Sequence, residues 1–247
     1  MSNGHCKTEI VNPVDAKREK LLHAARRDAR GYVAALVTAV EARDPSATAH
    51  SEMVATYAET IGRRMGLGES MIQSLRSAGL LHDVGKLAVP EAILTKPGPL
   101  TAEEFETIKR HPRTALDILG HLRFLTAEKP MILHHHEWYD GSGYPSGLAA
   151  DRIPIGARIL AVADALDTMF SRRTYKETFT LDRVRAELRA GAARQFDPAV
   201  IDTTLHWLDE AQDGVPAPAQ SQKPSIRFRG RQAMRRLPVG QPPDRLA

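Results

Sequence analysis

The histidines and carboxylates suited to metal chemistry are gathered between positions 50 and 164. The pair His82-Asp83 closes an apolar run, Ser77-Ala-Gly-Leu-Leu, and is followed by Gly85-Lys86. An imidazole and a carboxylate side by side at a helix end can reach one metal ion, and the second carboxylate oxygen can bridge to another. Lys86 is no ligand while protonated, but it suits the neutralisation of charge on a phosphoryl oxygen. A second cluster is His134-His135-His136-Glu137. Successive side chains on a helix diverge by about 100°, so two of these histidines, but not all three, can serve one site. Taken alone, the triplet reads equally well as a polar surface run. His50 and His111 are isolated, and a lone histidine is more often an ordinary hydrogen-bonded residue. Asp164 differs, because it sits inside the apolar run Ile159-Leu-Ala-Val-Ala-Asp-Ala-Leu. A carboxylate there needs a partner, which a metal, an arginine or a helix cap could supply.

The elements that must position these groups read as helices. Apolar residues recur at three- and four-residue intervals over 16–43, which predicts a first helix ending at Asp44-Pro45. Further helices are expected at 46–65, 69–82, 101–110, 112–120, 128–138, 155–170, 181–193 and 198–210. Thr101-Ala-Glu-Glu is a capping box, with Glu104 able to reach back to the Thr101 amide. Residues 84–100 read as a connector with a short helical turn after Pro90, and 140–154, rich in Gly and Pro, as an ordered loop. No sustained two-residue alternation occurs, so the expected class is all-α. Residues 1–15 and 213–247 read as disordered flanks of a single domain over 16–212.

Charge narrows the function classes. The net charge of +4 resides in the Pro-rich tail: from Asp213 onward there are seven Lys/Arg against two Asp/Glu, and the remainder is close to neutral. A DNA-binding domain would carry its positive face on the fold itself, so DNA is not expected as a partner. Cys6 is the only cysteine, which excludes an intramolecular disulfide. No apolar run approaches the roughly 20 residues of a membrane helix, and the N-terminal stretch has no secretory signal pattern. The expected location is the cytoplasm.

The pieces fall in the order of one family. Arg43-Asp-Pro, His50-Ser, LLHDVGK (80–86), ILTKPGPLT (93–101), His111-Pro, HHEWYDGSGYP (135–145), IPIGARILAVADALD (153–167) and Arg173-Thr-Tyr-Lys176 together resemble the HD-GYP domains, a branch of the HD metal-dependent phosphohydrolases. The resemblance covers roughly residues 30–210. It implies a helical HD bundle with added C-terminal HD-GYP helices, and hydrolysis of cyclic di-GMP to linear pGpG or on to GMP in bacterial signalling. Seven metal ligands are implied: His50, His82 and Asp164 for one ion, His111, His135 and His136 for the other, and Asp83 bridging both. Iron or manganese is the implied metal. The two ions would activate a water and hold the phosphodiester for in-line attack, with Lys86 neutralising the transition state. Arg173 and Lys176 would grip phosphate, Asp167 would join them against the substrate, and Gly141, Gly143, Tyr144 and Pro145 would shape the guanine end.

This sequence departs from the family at several positions. Ser46 stands where some members carry a glutamate that ligates a third metal, so two ions are expected. Ala49 replaces a common glycine, Thr174 a proline, and Arg172 a frequent acid, while His134 is surplus to the pattern and reads as structural. Two other functions stay open: an inactive module that binds cyclic di-GMP, and an HD phosphohydrolase for another cyclic dinucleotide. Signalling proteins are candidate partners. The first helix suits a linker, a homodimerisation helix or part of the domain, and amphipathicity does not choose among them.

Overall fold

The computed structural model describes residues 31–39, 45–171 and 179–210. In chain order, residues 31–39 form helix α1. They are followed by α2 (Pro45–Arg64), α3 (Glu69–Leu81), a 3-10 turn (Val84–Ala88), α4 (Glu91–Leu94), α5 (Ala102–Lys109) and α6 (His111–Leu119). After these come α7 (Glu128–His134), a second 3-10 turn (Ala150–Arg152), α8 (Ile155–Phe170), α9 (Leu181–Gly191) and α10 (Pro198–Glu210). Among the described residues the only β-type pairing is an isolated bridge between Ala192 and Phe196. The all-α expectation is met.

The core is built around α2, α3 and α8. Val54, Tyr57 and Ile61 of α2 meet Ile72 and Leu75 of α3 and Ile159, Leu160, Val162 and Leu166 of α8, all of them buried. Each helix presents an apolar stripe at three- and four-residue spacing, so one face of each is removed from water. Helix α8 is apolar over more of its circumference because it touches α2, α3, α7 and α10. Helix α10 closes the bundle with Trp207, whose ring lies 5.8 Å from that of Tyr57. In α1, Val33 is buried, and Leu36 and Val37 pack on the same core. This stretch of the first helix therefore contributes to the domain.

Local signals account for most helix ends. Thr101 Oγ1 accepts from the Glu104 amide while Glu104 accepts from the Thr101 amide, the full capping box. Two expectations are corrected. The helix expected over 128–138 ends at His134. The Glu137 amide turns back to the His134 carbonyl, and the His136 carbonyl is taken by the Tyr144 amide, so the chain leaves the helix here. The helix expected over 181–193 ends at Gly191, and Ala193 adopts φ +62, which a right-handed helix does not permit. The expected flanks at 1–15 and 213–247, and most of the first helix as expected, lie outside the described residues.

Candidate metal centre

The helix ends carry the site. His82 is the residue on which α3 stops, Asp83 opens the 3-10 turn, His111 is the first residue of α6, and His135 caps α7. His50 and Asp164 come from within α2 and α8. A histidine in these positions can bond a carbonyl that the helix itself leaves without a partner. His82 Nδ1 lies 2.8 Å from the Gly79 carbonyl, His111 Nδ1 2.8 Å from that of Ile108, and His135 Nδ1 2.7 Å from that of Ile132. All three carbonyls lie three residues back in the chain. A carbonyl only accepts, so each Nδ1 donates its hydrogen and Nε2 is left with a lone pair. His50 Nδ1 donates to a carboxylate instead, Asp167 Oδ2 at 2.7 Å.

The opposite nitrogens converge. Ligand atoms of His111, His135 and His136 lie within 4.8 Å of one another, as do those of His50, His82 and Asp164, and of His82, Asp83 and His135. Asp83 divides its oxygens between the two triads. Its Oδ1 is 3.5 Å from His111 Nε2, whereas Oδ2 is 3.5 Å from His82 Nε2 and 3.9 Å from His50 Nε2. His50 Nε2 is also 3.3 Å from Asp164 Oδ1. The Lys86 ammonium donates to Asp83 Oδ2.

Burial tests whether a metal fits. His82 Nε2, His111 Nε2, His135 Nε2 and Asp83 Oδ1 are buried with no hydrogen-bond partner. Polar atoms stranded in this way are costly, and four of them at one centre make a donor set for a cation. Imidazole nitrogens with carboxylate oxygens suit a divalent transition metal.

The electrostatics separate the two triads. Burial, together with His136, lowers His111 to about 3. It lowers His136 to about 4 and keeps His135 well below its usual range. These imidazoles are therefore neutral and ready to ligate. Burial would also lower His50, but its bonds to Asp164 and Asp167 outweigh this and raise it to about 10. Burial would raise Asp83, yet Lys86 and then His82, His111 and His50 hold it well below the usual carboxylate range. Asp164 is depressed in the same way, burial being overcome by His50.

Two residues near this centre stand in the quoted motifs without an assigned role. Gly85 is one: a Cβ there would sit 1.9 Å from the His111 carbonyl oxygen and 2.7 Å from the Ala115 nitrogen. Only glycine lets the 3-10 turn lie on α6 closely enough to bring Asp83 to His111. The other is Glu137, whose buried carboxylate accepts from the Ser146 amide at 2.7 Å and the Leu148 amide at 3.1 Å. Its place directly after three histidines and before a Gly-rich loop was the available signal.

The expected substrate residues are placed unevenly. The Tyr144 ring packs on His136, centroids 4.9 Å apart. Gly141 adopts φ +87, and a Cβ on Gly143 would lie 2.1 Å from the Trp138 nitrogen, so both positions require glycine. Pro145 follows a cis peptide, and its carbonyl accepts from Arg113 Nη2 at 3.0 Å. Asp167, expected against substrate, is buried behind His50 and also accepts from Ser171 Oγ at 3.0 Å. His134, surplus to the pattern, donates from Nδ1 to Glu137 Oε1 at 3.2 Å. Arg173 and Lys176 lie outside the described residues, as does the side chain of Ser46.

Comparison with known proteins places this centre in a family. The sequence matches the HD domain family over residues 35–200, and the chain belongs to that family, which implies binding of divalent metal. It is 42% identical over 178 residues to the cyclic di-GMP phosphodiesterase response regulator RpfG of Xanthomonas campestris pv. campestris, covering 71% of this chain and 47% of that protein. It is 40% identical over 187 residues to 3'3'-cGAMP-specific phosphodiesterase 2 of Vibrio cholerae, covering 75% of this chain and 36% of the relative. The chain thus spans half or less of the length of these relatives. Among solved structures, Bd1817, an HDG"Y"P protein from Bdellovibrio bacteriovorus, superimposes with a TM-score of 0.54 at 20% identity, covering 67% of this chain and 52% of that one. At that identity the likeness concerns the fold. The HD-GYP recognition made from the motifs agrees with these findings. Among the described residues no helix is long and apolar enough to cross a membrane.

Proposed function

We propose that this chain is a phosphodiesterase that uses two divalent ions, iron or manganese, to hydrolyse cyclic di-GMP to linear pGpG or on to GMP. The observation that carries this reading is the division of Asp83: one oxygen faces His111, the other faces His82 and His50. A carboxylate set between two triads of ligands could be shared by two ions, one held by each triad. Bound there, the ions supply Lewis acidity toward water and the phosphodiester oxygens.

The chain's own residues do the rest. The carbonyls of Gly79, Ile108 and Ile132 fix three imidazoles in the tautomer that ligates. Lys86 brings a positive charge to the edge of the centre, where charge develops on phosphoryl oxygens. Arg173 and Lys176 grip the phosphates, and the 140–149 loop with Tyr144 shapes the base-binding end. A cytoplasmic setting belongs to this reading and rests on the sequence.

The deciding measurement is anaerobic metal analysis of the purified protein, combined with turnover of cyclic di-GMP followed as pGpG and GMP. Two metals per chain with linear product are expected. One metal, or none, with hydrolysis intact overturns the two-ion reading. The likeness to a 3'3'-cGAMP-specific enzyme supports a second substrate, so 3'3'-cGAMP belongs in the same assay.

A further inference from the structure

Glu137 belongs to none of the ligand groups of the centre, yet its side chain is wholly buried. Among the described residues no Lys or Arg pairs with it. Its bonds go instead to two backbone amides of the following loop, Ser146 (2.7 Å, to Oε1) and Leu148 (3.1 Å, to Oε2), and to His134 Nδ1 (3.2 Å). A buried carboxylate held by amides satisfies a segment of chain that makes neither helix nor strand.

The same loop is tied to the metal centre at its near side. The Tyr144 amide donates to the His136 carbonyl at 3.1 Å, the Tyr144 ring lies on His136, and Gly143 packs against the Trp138 nitrogen. His135 and His111, by contrast, are oriented by carbonyls of their own helical turns, Ile132 and Ile108. His135 and His111 therefore have supports outside the loop, His136 meets it through Tyr144, and Glu137 holds a different part of it, Ser146 and Leu148.

We infer that Glu137 is a positioning residue that fastens the 140–149 loop over the centre, and that this fastening governs capture of the cyclic dinucleotide and not loading of the metal. The substrate side of this inference rests on the phosphodiesterase reading; the fastening does not. Replacing the carboxylate with the amide in Glu137→Gln puts an N–H donor against one of the two loop amides. Losing one charge-assisted bond is worth on the order of tenfold in an equilibrium.

The test compares wild type, Glu137→Gln and Glu137→Asp, each loaded with Mn(II), by amide hydrogen exchange, metal content and cyclic di-GMP affinity. In Glu137→Gln, exchange in the 140–149 peptide should quicken by about tenfold while peptides of α2 and α8 keep their rates. Metal content should stay at the wild-type value and cyclic di-GMP affinity should fall by about tenfold. Glu137→Asp, which keeps the charge on a shorter arm, should fall between the two and carries the comparison if the glutamine variant does not fold. Unchanged exchange in the loop overturns the fastening. Loss of metal together with substrate affinity overturns the separation of roles. If wild type neither binds nor cleaves a cyclic dinucleotide, the functional reading fails, while the exchange result still decides the fastening.

Discussion

His50 Nδ1 and Asp167 Oδ2 are 2.7 Å apart across 117 residues of sequence, which joins α2 to α8 behind the metal centre. Asp167, for which the family resemblance implied a substrate contact, is buried and bonded to His50. It fixes the His50 ring so that Nε2 turns toward Asp164 and Asp83. Asp167→Ala should weaken Mn(II) binding by about 10–100-fold, the usual cost of removing a hydrogen bond that orients a metal-ligating histidine. Metal titration by calorimetry checks this, and an unaltered isotherm would show that His50 needs no such support.

Asp83 and Lys86 touch each other but should behave differently when replaced. Asp83→Ala, like His82→Ala, should abolish both metal loading and hydrolysis, because Asp83 faces both triads. Lys86→Ala should keep its metals and lose about 10²–10³ in turnover, the scale of a lost oxyanion donor. Metal analysis beside steady-state kinetics separates the two patterns, and wild-type turnover in Asp83→Ala would sink the shared-ligand assignment.

Gly85→Ala adds one carbon, but to a place bounded by backbone. The nearest atoms are the His111 carbonyl oxygen and the Ala115 nitrogen, neither of which can rotate away. The 3-10 turn must then lift from α6, carrying Asp83 from His111. A loss of about 1–3 kcal/mol is expected from overpacking, together with reduced metal content, read by thermal melting and metal analysis. An unshifted melting temperature would contradict the packing argument.

Opposed histidine shifts set a pH optimum for stability once the metal is removed by chelation. His111 and His136 are lowered to about 3 and about 4, so the unfolded chain binds more protons than the folded one below about 6.5. Their contribution is complete above that pH and declines as pH falls toward their folded values. His50 is raised to about 10, so its contribution is complete below about 6.5 and is lost as pH rises toward 10. The chelated protein should therefore melt highest near neutrality and lower at both pH 5 and pH 9. A melting temperature that climbs steadily from pH 5 to pH 9 would contradict the His50 environment.

Much of this protein was written in local pattern. The capping box at Thr101 and Glu104 and the spans of α2, α8 and α10 follow from periodicity and end signals within a few residues. Residue type and spacing pointed to His82-Asp83, the 134–136 histidines and Asp164, but the full set of seven candidate ligands came from the family resemblance, since His50 and His111 alone read as ordinary histidines. Their two-triad division rested on the family resemblance, and the structure brings the same two groups together. Where α7 and α9 end was less legible, since those ends are set by bonds to loops and not by the helices' own residues.

The sequence by itself determined which groups could do the chemistry and which helices carry them, because both depend on residue type and short-range spacing. Only the tertiary structure decided what each group faces. It turned Asp167 toward His50, divided the oxygens of Asp83 between two triads, and gave Glu137 the loop amides. The reason is physical: the direction of a side chain is fixed by partners far away in sequence, on helices whose packing no local pattern specifies.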